Sequence, residues 1–296
     1  MKLKLHENNW TVLVEDLDLR EATQEQMNII ARLIATNTCV VFRNQTLTEH
    51  DELRVCNMIG KTETLKELKE NIPRVNEIVV KDTDYRVVRV TGEKDEHGNV
   101  GLFGHVSELD WHCNQSANPW RNPIVWLYGV HGTAGSRTSW TNSVLAYRDL
   151  PIELQNEYKK IKMINGFKKG AYSPDDFGKA IDINWTYNPE LVYTNNAGIT
   201  GLYFPFLQIH QIVGMDEEQS REFIVKLRDH VLQEKYIYHH DWQDGDVVLS
   251  EQWLGVHKRW PFEQIHTRLL HRITLDFSYA DIENIDKNLT KGIEFA

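Results

Sequence analysis

The chain has 296 residues, 41% of them hydrophobic and 26% charged, with a formal net charge of -10. A chain of this length can bury one large core, so we expect a single globular domain over residues 1–296. The acidic balance repels phosphate backbones and no stripe of lysine and arginine offsets it, which excludes nucleic acid as an expected partner.

The sequence indicates neither a membrane span nor a disulfide framework. No apolar run approaches the roughly 20 residues that a bilayer span requires, and the polar segment from Met1 to Asn9 is unlike a signal peptide. Cys39, Cys56 and Cys113 are odd in number and form no CxxC pair. We therefore expect a cytoplasmic protein that has no membrane partner. Whether it forms a homo-oligomer is left open.

The N-terminal part of the chain shows helical and strand patterns in turn. Apolar residues at helical spacing predict a helix from Thr23 to Ala35, and an apolar run predicts a strand from Cys39 to Phe42. Thr48 followed by Asp51 resembles a capping box and predicts a helix that ends at Gly60. We expect these elements to form a lid-like layer.

Short β-type runs dominate the chain from Asn76 onward. The predicted strands are Glu77 to Val80, Arg86 to Val90, Ile124 to Val130, Leu191 to Thr194, Leu202 to Phe204, Tyr236 to Tyr238, Val247 to Ser250 and Arg268 to Phe277. Helices are predicted from Ile152 to Ile161 and from Glu217 to Gln233. Many short strands with a few outer helices predict a mainly β fold with flanking helices (α+β) and a jelly-roll core of two sheets.

A small set of imidazole, amide and guanidinium side chains could carry chemistry. His112 and Asn114 are two residues apart, which on a strand directs both side chains to the same face. His257 supplies a second imidazole, and Arg268 and Arg272 follow it on one face of a predicted strand. Imidazoles suit Fe(II), and a facial ligand set leaves positions open for an oxo acid and dioxygen. An arginine fork suits the distal carboxylate of that acid.

Asn114 stands where this chemistry ordinarily uses a carboxylate. An amide oxygen can contact iron, but the loss of an anion weakens the hold on a dication. Three residues could compensate, namely Asp110, Glu251 and His105. Asp110 is the nearest carboxylate and shares strand parity with His112, so we expect it on the same strand face.

These motifs resemble those of the TauD/TfdA family of Fe(II)/2-oxoglutarate-dependent dioxygenases, and the resemblance extends through nearly all of the chain. It rests on the FR-Q-LT segment within residues 38–60, on W-H-x-N at 111–114, on G-S-R-T-S-W-T-N at 135–142 and on D-G-D-V-V at 244–248. His257, Arg268 and Arg272 match the family's H-x10-R-x3-R ending, whereas its usual WDNR is here the segment SEQW at 250–253. The resemblance implies a double-stranded β-helix, which is a jelly-roll, cupin-like core.

The resemblance also implies a role for each matching residue. His112 and His257 would bind Fe(II), with Asn114 at the third ligand position, while Thr138 and Arg268 would bind the distal carboxylate of 2-oxoglutarate. Arg272 would lie near the cosubstrate or the substrate. Weaker candidates for contact with the substrate are Glu108, Trp111 and Gln115.

The implied function is an enzyme that uses Fe(II), 2-oxoglutarate and dioxygen, releases succinate and CO2, and oxidises an unactivated C–H bond of a small molecule. Acidic and aromatic residues near the motif hint at an amine-bearing or amino-acid-like substrate. Asn114 leaves two alternatives open, namely a catalytically reduced member that acts as a binding or partner subunit, and a non-hydroxylating reaction such as halogenation. Retention of both histidines, Thr138 and Arg268 favours the active oxygenase.

Overall fold

The computed structural model describes residues 1–36, 39–66, 75–94, 98, 100–104, 106–114, 122–168, 181–263, 268–282 and 294–295. The strands in these ranges are β1 (Lys2–Leu5), β2 (Thr11–Glu15), β3 (Cys39–Phe42), β4 (Val88–Thr91), β5 (Leu109–His112), β6 (Ile124–His131), β7 (Arg137–Thr141), β8 (Met163–Lys168), β9 (Ile181–Tyr187), β10 (Val192–Thr194), β11 (Thr200–Leu202), β12 (Ile209–Ile212), β13 (Ile237–Asp241), β14 (Val247–Glu251), β15 (His257–Arg259), β16 (Leu269–Leu275) and β17 (Glu294–Phe295).

Helices occupy a smaller part of the described chain. They are α1 (Gln24–Thr36), α2 (Glu49–Ile59), α3 (Val75–Ile78), α4 (Ser143–Arg148), α5 (Ile152–Tyr158) and α6 (Glu217–Val231). Among the described residues, no helix combines the length and the apolar character that a membrane crossing needs.

Two sheets form the centre of the fold. The larger has the order β17-β1-β2-β3-β14-β6-β16-β4, and the smaller has the order β13-β7-β15-β5. Apart from the parallel pairs β1 with β17 and β2 with β3, the strands of both sheets pair antiparallel. The predicted mainly β fold with a jelly-roll core is confirmed, because two facing, largely antiparallel sheets are its defining feature.

Apolar side chains of both sheets meet between them. Val41, Val125 and Val248 of the larger sheet share a buried cluster with Trp140 and Tyr238 of the smaller one. The opposite face of the larger sheet packs against α1 and α2. The site described below therefore lies in the interior, with one wall from each sheet.

The N-terminal elements agree with the predicted secondary structure but not with the predicted lid. Thr48 and Asp51 form both hydrogen bonds of a capping box at the start of α2, as expected from the sequence. However, β3 pairs with β14, and β2 pairs with β3. The N-terminal strands therefore extend the larger sheet instead of covering it, because their backbone groups bond to its edge.

Two predicted strands were wrong or displaced. The run from Glu77 to Val80 begins within α3, and only Val79 makes an isolated bridge to a neighbouring strand. The run from Leu202 to Phe204 overlaps β11 at Leu202 alone, and its other residues lie in a buried aromatic cluster. A short apolar run has no period that separates a strand from other buried structure.

The FR-Q-LT and D-G-D segments bind each other in the fold. Arg43 forms an ion pair with Asp246, and the backbone amide of Gln45 donates to the carbonyl of Gly245 at 2.7 Å. Gly245 has a φ of +88°, and a Cβ there would lie 2.7 Å from the Gln45 carbonyl oxygen, so this turn requires glycine. These motif residues are structural, since they fix β14 next to β3.

A buried polar network holds β16, the strand that begins directly after Arg268 and contains Arg272. Glu52 of α2 accepts from the indole of Trp126 at 2.8 Å and lies 2.6 Å from Nδ1 of His271. His271 belongs to β16. Because a buried carboxyl needs its partners, this network anchors one face of β16 against α2.

Candidate metal and oxo-acid site

The predicted site residues meet in one cavity between the two sheets. Its polar lining consists of His112, Asn114, Thr138, His257, Arg259, Arg268 and Arg272. Strands β5, β7 and β15 of the smaller sheet supply the first five, directly or just past a strand end, and β16 with the residue before it supplies the last two. The candidates named from the sequence as ligand or oxo-acid residues are thus brought together.

Strand pairing sets the two histidines side by side. In the antiparallel pair of β15 with β5, His257 is directly opposite His112. Their ring centroids are 4.2 Å apart with an interplanar angle of 52°, and each residue is 5% exposed. Two imidazoles at this separation can bind the same ion.

Both imidazoles are neutral near pH 7. Burial lowers the pKa of His112 to about 4. Burial also lowers the pKa of His257, and electrostatic repulsion from the neighbouring His112, once that ring is protonated, and from Arg272 lowers it further. Nδ1 of His112 lies 2.8 Å from the carbonyl oxygen of Asp110, so in the neutral ring it is the donor and Nε2 keeps its lone pair. A backbone carbonyl that orients a histidine in this way is typical of metal ligands.

The third ligand position does not present an oxygen to the cavity. Nη1 of Arg272 donates to Oδ1 of Asn114 at 2.9 Å, and Nδ2 of Asn114 is buried without a partner in the described chain. An NH2 group donates hydrogen bonds and does not ligate a metal. Within the described residues, no cluster of three His, Cys, Asp or Glu could hold an ion. The two imidazoles fit a transition metal, but the side chain of Asn114 does not provide a third ligand beside them.

The expectation that Asp110 shares a face with His112 is wrong. Leu109 pairs with Arg259 and His112 with His257, so β5 has one residue more than β15 between these two pairs. This β-bulge interrupts the two-residue alternation, and Leu109 instead of Asp110 lines the cavity. The Asp110 carboxylate bonds to Nη1 of Arg228 at 2.9 Å.

The other candidates for a compensating ligand do not fill the position either. Glu251 is fully buried, accepts from Nδ2 of Asn195 at 2.7 Å, and lines a separate cavity of about 510 Å³ with Tyr193 and Trp253. Burial raises its pKa to about 8. His105 lies outside the described residues.

Three buried guanidinium groups give the cavity a positive charge. Burial lowers the pKa of Arg259, Arg268 and Arg272 to about 10, about 9 and about 10, so all three remain charged at neutral pH. Nε of Arg268 donates to Ser136 at 3.1 Å, and Arg259 donates to the carbonyl oxygens of two residues in the 103–107 segment. No described carboxylate lines this cavity. Buried charges are normally paired, so this arrangement is typical of an anion site.

Thr138 lies where it can assist Arg268. The indole of Trp242 donates to Oγ1 of Thr138 at 2.9 Å, which occupies one lone pair and leaves the hydroxyl proton available to donate. Thr138 and Arg268 line the same cavity. Together they offer a hydroxyl and a guanidinium to one carboxylate.

The weaker substrate candidates have other partners. Glu108 forms an ion pair with Lys258 at 3.0 Å and does not line the cavity. Trp111 is buried in an apolar cluster with Tyr203 and Phe204, so it packs the fold. Gln115 lies outside the described residues.

Sequence reasoning missed two residues of this site. Oε1 of Gln252 accepts from the backbone amide of Asn114 at 2.8 Å, and its Nε2 donates to the carbonyl of Asn122 at 2.6 Å. Arg259 lines the cavity two residues after His257. The segment SEQW differs from the family's usual WDNR, and this difference drew attention to the position of Gln252. For Arg259, the only available signal was that it lies two residues after His257 and so shares its strand face.

Comparison with known proteins identifies the family. The model of the family described as taurine catabolism dioxygenase TauD, TfdA family, matches residues 4–274. The chain belongs to the TauD/TfdA family. A 2-oxoglutarate-dependent dioxygenase class, as predicted from the sequence, is therefore confirmed through family membership.

Relatives and solved structures agree with this assignment. An alpha-ketoglutarate-dependent 2,4-dichlorophenoxyacetate dioxygenase of Cupriavidus pinatubonensis is 25% identical over 272 residues, 88% of this chain and 92% of that protein. An (S)-phenoxypropionate/alpha-ketoglutarate-dioxygenase of Sphingobium herbicidovorans is 33% identical, covering 78% of this chain and 79% of its own length. A taurine dioxygenase from Burkholderia xenovorans superposes with a TM-score of 0.71 at 18% identity, covering 93% and 88% of the two chains. The structure of AAD-2 with Mn(II) and N-oxalylglycine superposes with a TM-score of 0.72 at 19% identity, covering 94% and 98%.

Removal of Gln252 should weaken metal binding. In Gln252→Leu, the backbone amide of Asn114 loses its acceptor, so we expect the segment beside His112 to shift. The dissociation constant for Mn(II) should then rise about 10- to 100-fold, as is typical when a group that supports a metal site is lost. Titration in the presence of N-oxalylglycine, followed by the EPR signal of free Mn(II), measures this change. The exposed Gln233→Leu is the control, and equal affinities in Gln252→Leu and the wild type would remove Gln252 from the site.

The metal-free protein should lose stability in mild acid through its buried imidazoles. His112 has a folded pKa of about 4 against 6.5 in an unfolded chain, so its contribution is complete above pH 6.5 and is lost as the pH falls toward 4. At about 1.4 kcal/mol per pKa unit, His112 accounts for a loss of about 3 kcal/mol in the free energy of unfolding.

Urea unfolding in chelator between pH 7.5 and 4.5 tests this expectation. The variant His112→Gln should show a shallower loss of stability with acid than the wild type, because it has no imidazole to protonate in the unfolded state. The exposed His50→Gln serves as the control. Parallel pH profiles for the wild type and His112→Gln would contradict a buried, neutral His112.

Proposed function

We propose that this chain is an Fe(II)/2-oxoglutarate-dependent oxygenase that oxidises an unactivated C–H bond of a small molecule, with conversion of 2-oxoglutarate to succinate and CO2. The observation that carries the proposal is the pair of buried, neutral imidazoles of His112 and His257 in the same cavity as Arg268 and Thr138. For this reaction the protein must supply at least imidazole ligands for the metal and a guanidinium group that binds the acid.

Each residue has a separate task in this proposal. His112 and His257 hold the metal through lone pairs that burial keeps unprotonated. Arg268 and Thr138 bind the distal carboxylate of 2-oxoglutarate and so fix the direction of its keto acid end. Bound iron supplies the activation of dioxygen and the oxidising power for the C–H bond. Apolar side chains such as Leu127 and Leu270 line the same cavity and exclude water from the reacting groups.

We further propose that the substrate carries an acidic group instead of an amine. The residues behind the amine interpretation have partners elsewhere: Glu108 pairs with Lys258, and Asp110 pairs with Arg228. After Arg268 is assigned to the cosubstrate, two further buried guanidinium groups still line the cavity. The relatives named above act on phenoxyacetate and phenoxypropionate compounds, which are carboxylic acids.

The extent of the domain is also a proposal. The family match covers residues 4–274, and β1 near the start of the chain pairs with β17 near its end. Both observations support one domain over residues 1–296.

Anaerobic titration of Fe(II) with 2-oxoglutarate tests the function. We expect the wild type to develop the visible charge-transfer band of a chelated keto acid. The variant Arg268→Ala should need at least about 100-fold more 2-oxoglutarate to reach the same band, because a charge-assisted carboxylate contact is lost from a buried site. The exposed Arg221→Ala is the control. Release of succinate in air provides a second measurement.

The same titration separates the alternatives. A band that forms only in Asn114→Asp would show that the natural protein is a binding or partner subunit with an oxygenase fold. A wild-type band that is unaffected by Arg268→Ala would place the cosubstrate elsewhere and contradict the assignment of this cavity.

A further inference from the structure

The charge of the cavity and the hydrogen bond made by Asn114 have a consequence for how the metal is bound. We infer that this chain holds its metal ion only as a pair with a bound anion, so that metal and oxo acid bind with strong mutual dependence. The inference rests on the proposed function, since it concerns the same site and the same two ligands.

The first support is the balance of charge around the two histidines. Arg259, Arg268 and Arg272 line the cavity as cations, and no described carboxylate lines it with them; Glu63, whose charge raises the pKa of Arg272, is not part of that lining. The segments 115–121 and 264–267, which adjoin cavity residues in the chain, contain no Asp or Glu in the sequence. A divalent cation brought alone to these imidazoles is repelled by three buried positive charges, and repulsion is strong where the dielectric constant is low.

The second support is the state of Asn114 and Arg272. Arg272 occupies Oδ1 of Asn114, which leaves two buried donors without partners in the described chain, Nδ2 of Asn114 and Nε of Arg272. Buried donors without partners are destabilising, so an acceptor that reaches them is stabilised. Two donors and no free acceptor favour an anion and disfavour an unaccompanied cation.

The third support is that three described acids outside the cavity have other partners. Asp110 bonds to Arg228 and lies 3.9 Å from Lys258, and Glu108 pairs with Lys258. Glu63 accepts from Thr274 at 2.5 Å. None of these carboxylates lines the cavity, so none can take the place of an anionic ligand without giving up its partner.

A dianionic oxo acid removes the repulsion that the metal meets. It neutralises two of the three guanidinium charges, and the metal in turn offers the acid a second point of attachment. Such coupling is reciprocal, so each ligand must tighten the other by the same factor. In a protein with a carboxylate at position 114, this electrostatic part of the coupling is smaller, because the site already holds one anion.

Equilibrium titration with Mn(II), followed by the EPR signal of the free ion, measures the coupling without turnover. The titration is made with and without saturating N-oxalylglycine on the wild type, on Asn114→Asp, and on Asn156→Asp. Asn156 is exposed on α5, so its variant adds the same charge away from the cavity.

We expect N-oxalylglycine to tighten Mn(II) binding by about 100-fold or more in the wild type and in Asn156→Asp, near the upper end of usual coupling between two sites. Asn114→Asp should bind Mn(II) alone more tightly than the wild type and show at least about tenfold less coupling. Direct chelation of the metal by the oxo acid contributes to every variant, so the difference between variants isolates the missing anion.

Two other results would overturn the inference, and they differ in their meaning. Tight binding of Mn(II) alone, with the same coupling in the wild type and Asn114→Asp, would reject anion dependence and leave the proposed function intact. No binding of Mn(II) to the wild type even with N-oxalylglycine would reject both the inference and the proposed function.

Discussion

The antiparallel pairing of β15 with β5 is the constraint on which the site depends. It sets His257 opposite His112 inside a jelly roll, where burial keeps both rings neutral and their lone pairs available. The larger sheet closes the cavity from the other side with β16, which α2 anchors through Glu52 and His271. The two candidate histidines and Arg259 thus come from the smaller sheet, whereas Arg268 and Arg272 come from the larger sheet, and the fold fixes the distance between them.

Electrostatics then decides what the cavity can accept. Three buried guanidinium groups in a cavity that no described carboxylate lines make a poor site for a lone cation and a good site for an acid. In an ordinary member of this family, a carboxylate balances part of that charge. Here Asn114 accepts from Arg272 and contributes no charge, so among the described residues the balancing charge is left to the proposed anionic ligands. The proposed substrate preference and the proposed metal affinity both follow from this one feature.

Local signals in the sequence were sufficient for some elements and not for others. The capping box at Thr48 and Asp51 depends on residues three apart, so it could be predicted from the sequence, as could the spacing of Arg268 and Arg272 after His257. The bulge in β5 could not be predicted from the sequence, because it arises from pairing with a strand more than a hundred residues away. This bulge directs the Asp110 side chain away from the cavity.

Contacts between distant segments of the chain also explain why the contacts of Asn114 were not predicted. Gln252 reaches the Asn114 backbone across 138 residues, and nothing in its local sequence indicates that contact. The resemblance to a known family located both histidines and Arg268, since spacing along the chain is what the motif records. It could not show that the oxygen of Asn114 is already occupied by Arg272, which only the fold brings near.

Anomalous diffraction from crystals grown anaerobically with Mn(II) and N-oxalylglycine would locate the metal and the oxo acid in this cavity. We expect one manganese peak bonded to the imidazoles of His112 and His257, with N-oxalylglycine on the metal and its distal carboxylate on Arg268. We also expect no metal bond to Nδ2 of Asn114. A manganese ion elsewhere in the protein, or N-oxalylglycine bound away from Arg268, would contradict this expectation.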